Sequence, residues 1–454
     1  MSLKSSLYSV LPDFALGYAE RIEASPIGYR LARGAFWSLT GAVISRGLTL
    51  ASSILVARIL GKVGFGELGI IQSTVGMFAT FAGFGLGLTA TKYVAEFKQK
   101  DPVRAGRILA LSTSVTIATS AIAALMFLAL APWLASRTLA APQLTGLLRI
   151  SSIMLFLGAV TGAQGGALAG FEAFRRIAWV NLASGLAAFP LMVGGAYAGG
   201  LDGALWGLVA SYGVNWALNQ WAVRREAARA GVPIALAGAH QELGKVWAFS
   251  FPALLASVMV GPVNWFCNAI LVNQPNGYAE MGIFSAANQW FGALLFLPGV
   301  LGQVVLPALS ERVGASDMAN SAKVIRVSIV VNLATVLPLV LALSLASVWV
   351  MGLYGQSFKT GWLTLVLVLF TAGLLAVQQP VGQMIAAAGR MWLGFAMNIG
   401  WALVFVLLTL TWASKGAAGM AAARLVAYGA HAVWTFGWAS HALRKPPEGA
   451  SSRW

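Results

Sequence analysis

Twelve apolar runs, each about twenty residues or longer, leave this chain of 454 residues few ways to fold. They cover residues 36–60, 66–89, 108–131, 150–170, 177–199, 203–222, 247–273, 281–307, 325–350, 361–387, 391–413 and 417–441. An α-helix rises about 1.5 Å per residue, so about 20 residues cross the roughly 30 Å hydrocarbon core of a bilayer. The runs are continuous rather than alternating, and backbone groups in lipid must bond within their own segment, so helices are expected rather than barrel strands. Composition agrees: 58% of the residues are hydrophobic and 10% are charged, against about 25% charged in soluble domains.

Basic residues set the orientation. Lys92, Lys98, Arg104, Arg107, Arg175, Arg176, Arg224, Arg225, Arg229, Arg312, Lys323 and Arg390 fall in loops on one side, whereas the other side has Lys62, Arg137, Lys359 and Lys415. Positively charged loops stay cytoplasmic, so both termini are expected inside, with an even number of crossings. The net charge of +16 is mostly this bias, and nucleic acid is not an expected partner. Residues 1–34 lack the apolar core of a cleaved leader after Lys4. Leu11, Phe14, Ala15, Tyr18 and Ile22 instead recur at helical spacing, as in a short amphipathic segment lying on the inner surface. The single cysteine, Cys267, allows no intrachain disulfide and no thiolate metal cluster.

The chain carries an internal duplication. Residues 65–96 align with residues 281–311 so that Gly66 pairs with Gly282, Gln72 with Asn288 and Gly76 with Gly292, at a separation of 216. Residues 166–185 align with 383–402, Asn181 on Asn398, at a separation of 217. Two segments sharing nearly one offset point to duplicated halves of six spans in the same orientation, an arrangement that commonly encloses a central site and exposes it alternately. The expected fold is therefore an all-α polytopic membrane protein, with twelve transmembrane helices in two six-helix lobes around a central cavity. The expected divisions are an N-terminal cytoplasmic segment (1–34), a first lobe (35–223), a cytoplasmic linker (224–245), a second lobe (246–441) and a cytoplasmic tail (442–454). Within spans the first half has Pro190, while the second has Pro252, Pro262, Pro298, Pro307, Pro338 and Pro380. Proline removes a helix hydrogen bond, so bending is expected mainly in the second half.

No catalytic constellation emerges. The chain lacks a phosphate-binding P-loop, an HExxH motif and a CxxC motif, its histidines are His240, His431 and His441, and no cofactor is implied. Most of the fourteen acids map to loops, with Glu67 at a span end, which suits proton-coupled transport through an embedded carboxylate poorly. The interior instead offers cations: Arg46 near the middle of the first run, Arg424 and His431 in the last, and Arg58 at the outer end of the first. A cation at bilayer depth costs several kcal/mol by insertion scales, so it faces a protein-lined or watery cavity. Guanidinium binds phosphate oxygens through a planar donor fork, and amides bond sugar hydroxyls. Arg46, Arg58 and Arg424 are thus candidate ligands for a diphosphate. Gln72, Asn181, Asn215, Asn264, Asn288, Gln289, Gln379, Asn398 and His431 are candidates to line a glycan cavity. Each amide taken alone has the competing role of an interhelical hydrogen bond. Most tryptophans, such as Trp133 and Trp349, suit an interfacial belt, whereas Trp216, Trp265, Trp290 and Trp401 lie deeper.

The stretch LVARILGKVGFGELGIIQS (residues 55–73), followed by GFGLGLTATKYVAEFKQKDPVRAGRI (83–108) and later by MGIFSAANQW (281–290) and LPALSE (306–311), resembles bacterial Wzx-type polysaccharide flippases. These form the polysaccharide-transporter branch of the superfamily that includes MATE exporters and the lipid II flippase. The resemblance implies a V-shaped pair of six-helix lobes around a cationic cavity. It also implies transport of an undecaprenyl-diphosphate-linked oligosaccharide across the bacterial inner membrane, with membrane lipid, a polysaccharide polymerase and a chain-length regulator as partners. The family's arginine before the turn after span 1 falls on Arg58, and its interior arginine on Arg46. A cation-coupled exporter of drugs or metabolites is the alternative, and a membrane-embedded polymerase or ligase is a third possibility. Embedded acids characterise the MATE exporters, and this chain departs from them there.

Overall fold

The computed structural model describes residues 26–83, 85–244, 259–314 and 318–444. The amphipathic segment over Leu11–Ile22, the first part of the seventh span with Pro252, and most of the tail lie outside the described residues. Every described element is helical: α1 (Pro26–Ala82), α2 (Leu86–Phe97), α3 (Pro102–Trp133), α4 (Thr145–Gly170), α5 (Phe174–Arg229), α6 (Val260–Val272), α7 (Gly277–Leu294), α8 (Phe296–Gly314), α9 (Met318–Leu345), α10 (Ser347–Gly352), α11 (Trp362–Ala387), α12 (Met391–Trp412) and α13 (Gly416–Arg444), with short 3-10 and π turns between some of them.

Two of the long helices each contain two of the expected spans. α1 reverses at Gly61 (φ 68°), and α5 at Gly199 and Gly200 (φ 56° at the latter). Only glycine adopts a positive φ without steric cost, so single glycines make connections too short to interrupt the helical run. Among the described residues, seven runs are long and apolar enough to cross a membrane by length and composition. Two of them, Phe174–Arg229 and Met391–Ala442, each hold a pair of expected spans, and Val260–Val272 is a shorter apolar helix.

Several expected spans are not single helices. The second, 66–89, breaks at Gly85 (φ 67°) and continues as α2. The eighth, 281–307, breaks at Leu295. Pro298, having no N–H, cannot bond the Leu294 carbonyl there. The ninth ends at Leu345, and α10 follows after Ala346. By contrast Pro190, Pro338 and Pro380 sit inside continuous helices. Bending is therefore not reserved to the proline-rich half, because glycine breaks the corresponding span of the other half.

The helices pack as two arms. In the N-terminal arm α5 lies along α1, α4 packs on α3 and α5, and α2 packs on α4; in the C-terminal arm α13 packs on α11 and α12, while α8 and α9 pack on α11. Between lipid-exposed helices the driving force is close packing, and glycine permits it. A Cβ on Gly166 would overlap the Gly87 carbonyl, and one on Gly203 would overlap the Gly195 carbonyl.

The arms join where α1, beyond its reversal, meets α7. Gly66 abuts Tyr278 and Gly282, Gly69 abuts Ser285, and Gly282 abuts the Lys62 carbonyl. Polar bonds reinforce the join: Trp265 Nε1 donates to Thr74 Oγ1 at 3.0 Å, Asn268 Nδ2 to Ser73 Oγ at 2.7 Å, and Arg58 Nε to the Leu353 carbonyl. These contacts cluster toward the end that holds the turn at Gly61 and the Val272–Gly277 connection. Toward the other end the chief neighbours of α2 and α8 belong to their own arms, so the arms form a V with a cleft between them.

Candidate functional site

Arg46 lies on the exposed surface of α1, and its guanidinium sits 5.9 Å from the ring centroid of Phe296, across the cleft on α8. Neither a hydrogen bond nor an ion pair engages it among the described residues. An aromatic face attracts a cation through its quadrupole, worth about 0.5–1 kcal/mol at exposed sites. That is too little to neutralise a charge at membrane depth, so the donor fork remains available to an anion from the cleft.

Arg424 has the opposite surroundings. It is 6% exposed, and its guanidinium lies 4.0 Å from the Phe291 ring centroid on α7. Nη1 donates to Asn288 Oδ1 at 2.8 Å, while Nε has no partner among the described residues. Asn288 itself is exposed. Arg424 therefore stands behind Asn288, orienting its amide and presenting the NH2 end outward, rather than lining the cleft itself.

Arg58 is exposed but spends its Nε on the Leu353 carbonyl of the opposite arm, at the joined end. It fastens the arms there, away from Arg46. Asn264, half-buried on α6, donates to the Val260 carbonyl at 2.7 Å. Gln72, Asn181, Gln289 and Asn398 are half-buried, without side-chain hydrogen bonds among the described residues, so their amides are free to bond a solute. Asn215 is different. Its Oδ1 accepts from Ser184 Oγ at 3.2 Å and from Asn219 Nδ2 at 2.7 Å, tying together the two halves of α5 inside one arm.

Gln379 lines a cavity of about 120 Å3 between α8, α9 and α11, with Pro298, Gly302, Asn332 and Gln383. That cavity is internal to the C-terminal arm. His431 is half-buried, with Nδ1 unpartnered among the described residues and its ring edge-on to Trp434 at 5.9 Å. The three arginines are thus not one cluster: Arg46 faces the cleft, Arg424 is covered, and Arg58 closes the join.

Acids are spent elsewhere. Glu280 Oε2 accepts from the Ala417 N–H at 2.8 Å, capping the start of α13. Glu172, Glu226 and Glu242 pair with Lys98, Arg176 and Arg104. No group of His, Cys, Asp or Glu among the described residues could hold a metal ion.

Phe291 and Phe296, which receive the two interior guanidinia, were not among the residues the sequence singled out. The aromatic spacing along residues 281–307 carries that signal, but any apolar span carries similar residues. The deep tryptophans divide. Trp265 bridges the arms, whereas Trp401 packs in the core against Phe405 and Tyr428.

A family model described as polysaccharide biosynthesis protein matches residues 31–313. The chain is similar to the EPS I polysaccharide export inner membrane protein EpsE of Ralstonia nicotianae, 25% identical over 378 residues, or 81% of this chain and 84% of that one. It is likewise 25% identical over 333 residues to the lipid III flippase of Escherichia coli, covering 71% and 75% of the two chains. The structure resembles a multidrug resistance MATE family transporter of the MOP superfamily in an inward-facing conformation. The TM-score is 0.74 at 14% identity, over 92% of this chain and 100% of that one. At that identity the likeness is one of fold.

Proposed function

The chain belongs to the polysaccharide biosynthesis protein family, and from that premise we propose that it is a flippase for an undecaprenyl-diphosphate-linked oligosaccharide in a bacterial inner membrane. The observation that carries this reading is Arg46, an exposed guanidinium between the arms with an aromatic ring beside it and no ion-pair partner among the described residues. A diphosphate diester brings the negative charge that such a site lacks, and its bidentate geometry matches the donor fork. The prenyl chain extends laterally between the arms into lipid. The glycan meets the amides of Asn288, Gln72 and Gln289, the first of them oriented by Arg424.

The basic-residue bias puts both termini in the cytoplasm, so the cleft opens inward and the joined end faces outward. Transport then requires the arms to part at the Gly66–Gly282 contact and to close at the other end, exchanging access by rocking. The lobes are residues 35–223 and 246–441, with 224–245 as the linker, and the flipped product passes to a polymerase and a chain-length regulator. No chemical bond is broken in this cycle.

Replacing Arg46 with Ala is expected to abolish surface polysaccharide while protein abundance in the membrane stays at the wild-type level, and Arg46→Lys is expected to retain part of the export. Full export by Arg46→Ala would remove the basis of this reading. A cation-coupled exporter is the competing reading, and an uncompensated guanidinium in the cleft repels its substrate; extrusion of a hydrophobic cation by the wild type would favour it.

A further inference from the structure

At the end of α5 that holds the basic loops, two guanidinia flank one indole. Arg176 lies 4.7 Å and Arg225 5.3 Å from the Trp221 ring, and Trp179 packs on the same ring with centroids 5.4 Å apart. Arg176 is held by Glu226 at 3.1 Å, and that carboxylate also takes Arg229 at 3.0 Å. Arg225 has only the ring among the described residues, and Arg175 and Arg224 are exposed nearby. The cluster has more positive charge than its single acid offsets.

The faces of α5 say what lies beside it. Ala178 and Gly185 press on Gly41 and Ser45 of α1, so that side is covered by protein. Trp179 (48% exposed), Leu186 (56%) and Tyr197 (86%) follow one another down a different, outward face. Beyond the reversal, Trp206 and Trp221 are exposed as well. An apolar stripe that ends in tryptophans and then arginines is the profile of a helix pair passing from acyl chains into headgroups. Interfacial belts and cytoplasmic positive charge account for each residue singly. They do not account for a guanidinium held over an indole and left without a counter-ion among the described residues.

We propose that Trp221, Arg225 and Arg176 form a headgroup site for an anionic glycerophospholipid on the outer flank of the N-terminal arm. The phosphate engages the unpaired Arg225, the Trp221 indole lies at the glycerol level, and the acyl chains follow the Trp179–Leu186 stripe. The stripe is what selects a lipid over free phosphate, since only a lipid places its tails there. The site is separate from the Arg46 cleft and stands whichever solute the cleft carries.

The test uses the purified full-length protein in detergent, titrated with phosphatidylglycerol, with phosphatidylcholine of matched chains, and with inorganic phosphate. Thermal midpoint and lipid retained in native mass spectrometry are the readouts. Phosphatidylglycerol is expected to be retained and to raise the midpoint, with the other two ineffective. Arg225→Ala is expected to weaken its apparent affinity about fivefold, from the loss of one basic contact near the headgroup. Arg137→Ala, at the opposite end of the bundle, is expected to leave that affinity unchanged. Trp221→Leu, which keeps the charge, is expected to weaken the affinity too. Equal phosphatidylglycerol affinity in the wild type and Arg225→Ala would overturn the proposal, as would an equal response to phosphatidylcholine or to inorganic phosphate.

Discussion

Gly66 and Gly282, which hold corresponding places in the two halves of the duplicated sequence, face each other where the arms join. A Cβ on Gly66 would lie 2.8 Å from the Gly282 nitrogen and overlap the Tyr278 carbonyl, and a Cβ on Gly282 would overlap the Lys62 carbonyl. Residues related by a two-fold meet their own counterparts only close to the axis. The contact therefore locates the relation between the halves at this end of the cleft, and the absence of side chains there lets α1 and α7 touch backbone to backbone.

A side chain at that contact has nowhere to go. Gly66→Val or Gly282→Val is expected to cost about 1–3 kcal/mol of stability in the joined state, as overpacking does elsewhere, and to lower polysaccharide export. Thermal unfolding in detergent beside an export assay checks it; a variant with both values at wild-type level would contradict the packing described.

Arg46 and Arg424 are expected to respond in opposite ways to the same apolar replacement. Arg46→Met should eliminate export with little change in thermal midpoint, because the guanidinium is exposed and has neither a hydrogen bond nor an ion pair among the described residues. Arg424→Met removes a buried charge that has no acid partner among the described residues and fills its volume, and such replacements are often neutral or stabilising. Arg424→Ala is expected instead to lose about 2–4 kcal/mol from the cavity it leaves. Midpoints of the three variants, measured together, separate the roles.

The hydrogen bonds at the joined end include Trp265 to Thr74 and Asn268 to Ser73. A bond between membrane helices is worth about 0.6 kcal/mol on average, so Trp265→Phe and Asn268→Leu are each expected to shift the balance between joined and parted ends about threefold. Distance measurements between spin labels at positions 62 and 278 would register the shift. Unchanged distributions in the double variant would show that these two bonds do not set the balance.

The linker folds back on the N-terminal arm. Glu242 accepts from Arg104 Nε at 2.9 Å and Nη2 at 3.1 Å, and Gly106 closes against the Pro233 carbonyl. Arg104 is partly exposed but Glu242 is buried, so Glu242→Gln, which loses a charge-assisted bond, is expected to cost about 1–3 kcal/mol. Locally it should speed proteolytic cutting between residues 230 and 244, measured by limited digestion.

The all-helical membrane class and the two-lobe arrangement were legible because each depends on chain length and on spacing, both of which survive without coordinates. So was the place of Arg46 near the middle of an apolar run with no acid at its centre. That Gly85 breaks a helix while Gly87 lies against Gly166 was not legible, since both uses require the same missing side chain.

Which way each interior residue points was left to the tertiary structure. Arg46 and Arg424 look alike in the sequence, each an arginine inside an apolar run, yet one is exposed to the cleft and the other covered by Phe291, Tyr428 and Asn288. In a soluble helix the polar face would reveal the difference, because water and core make opposite demands. Lipid and protein interior are both apolar, so a membrane helix carries almost no periodic mark of its facing side. Only the neighbours it packs against, here α7 for Arg424 and the open cleft for Arg46, decide it.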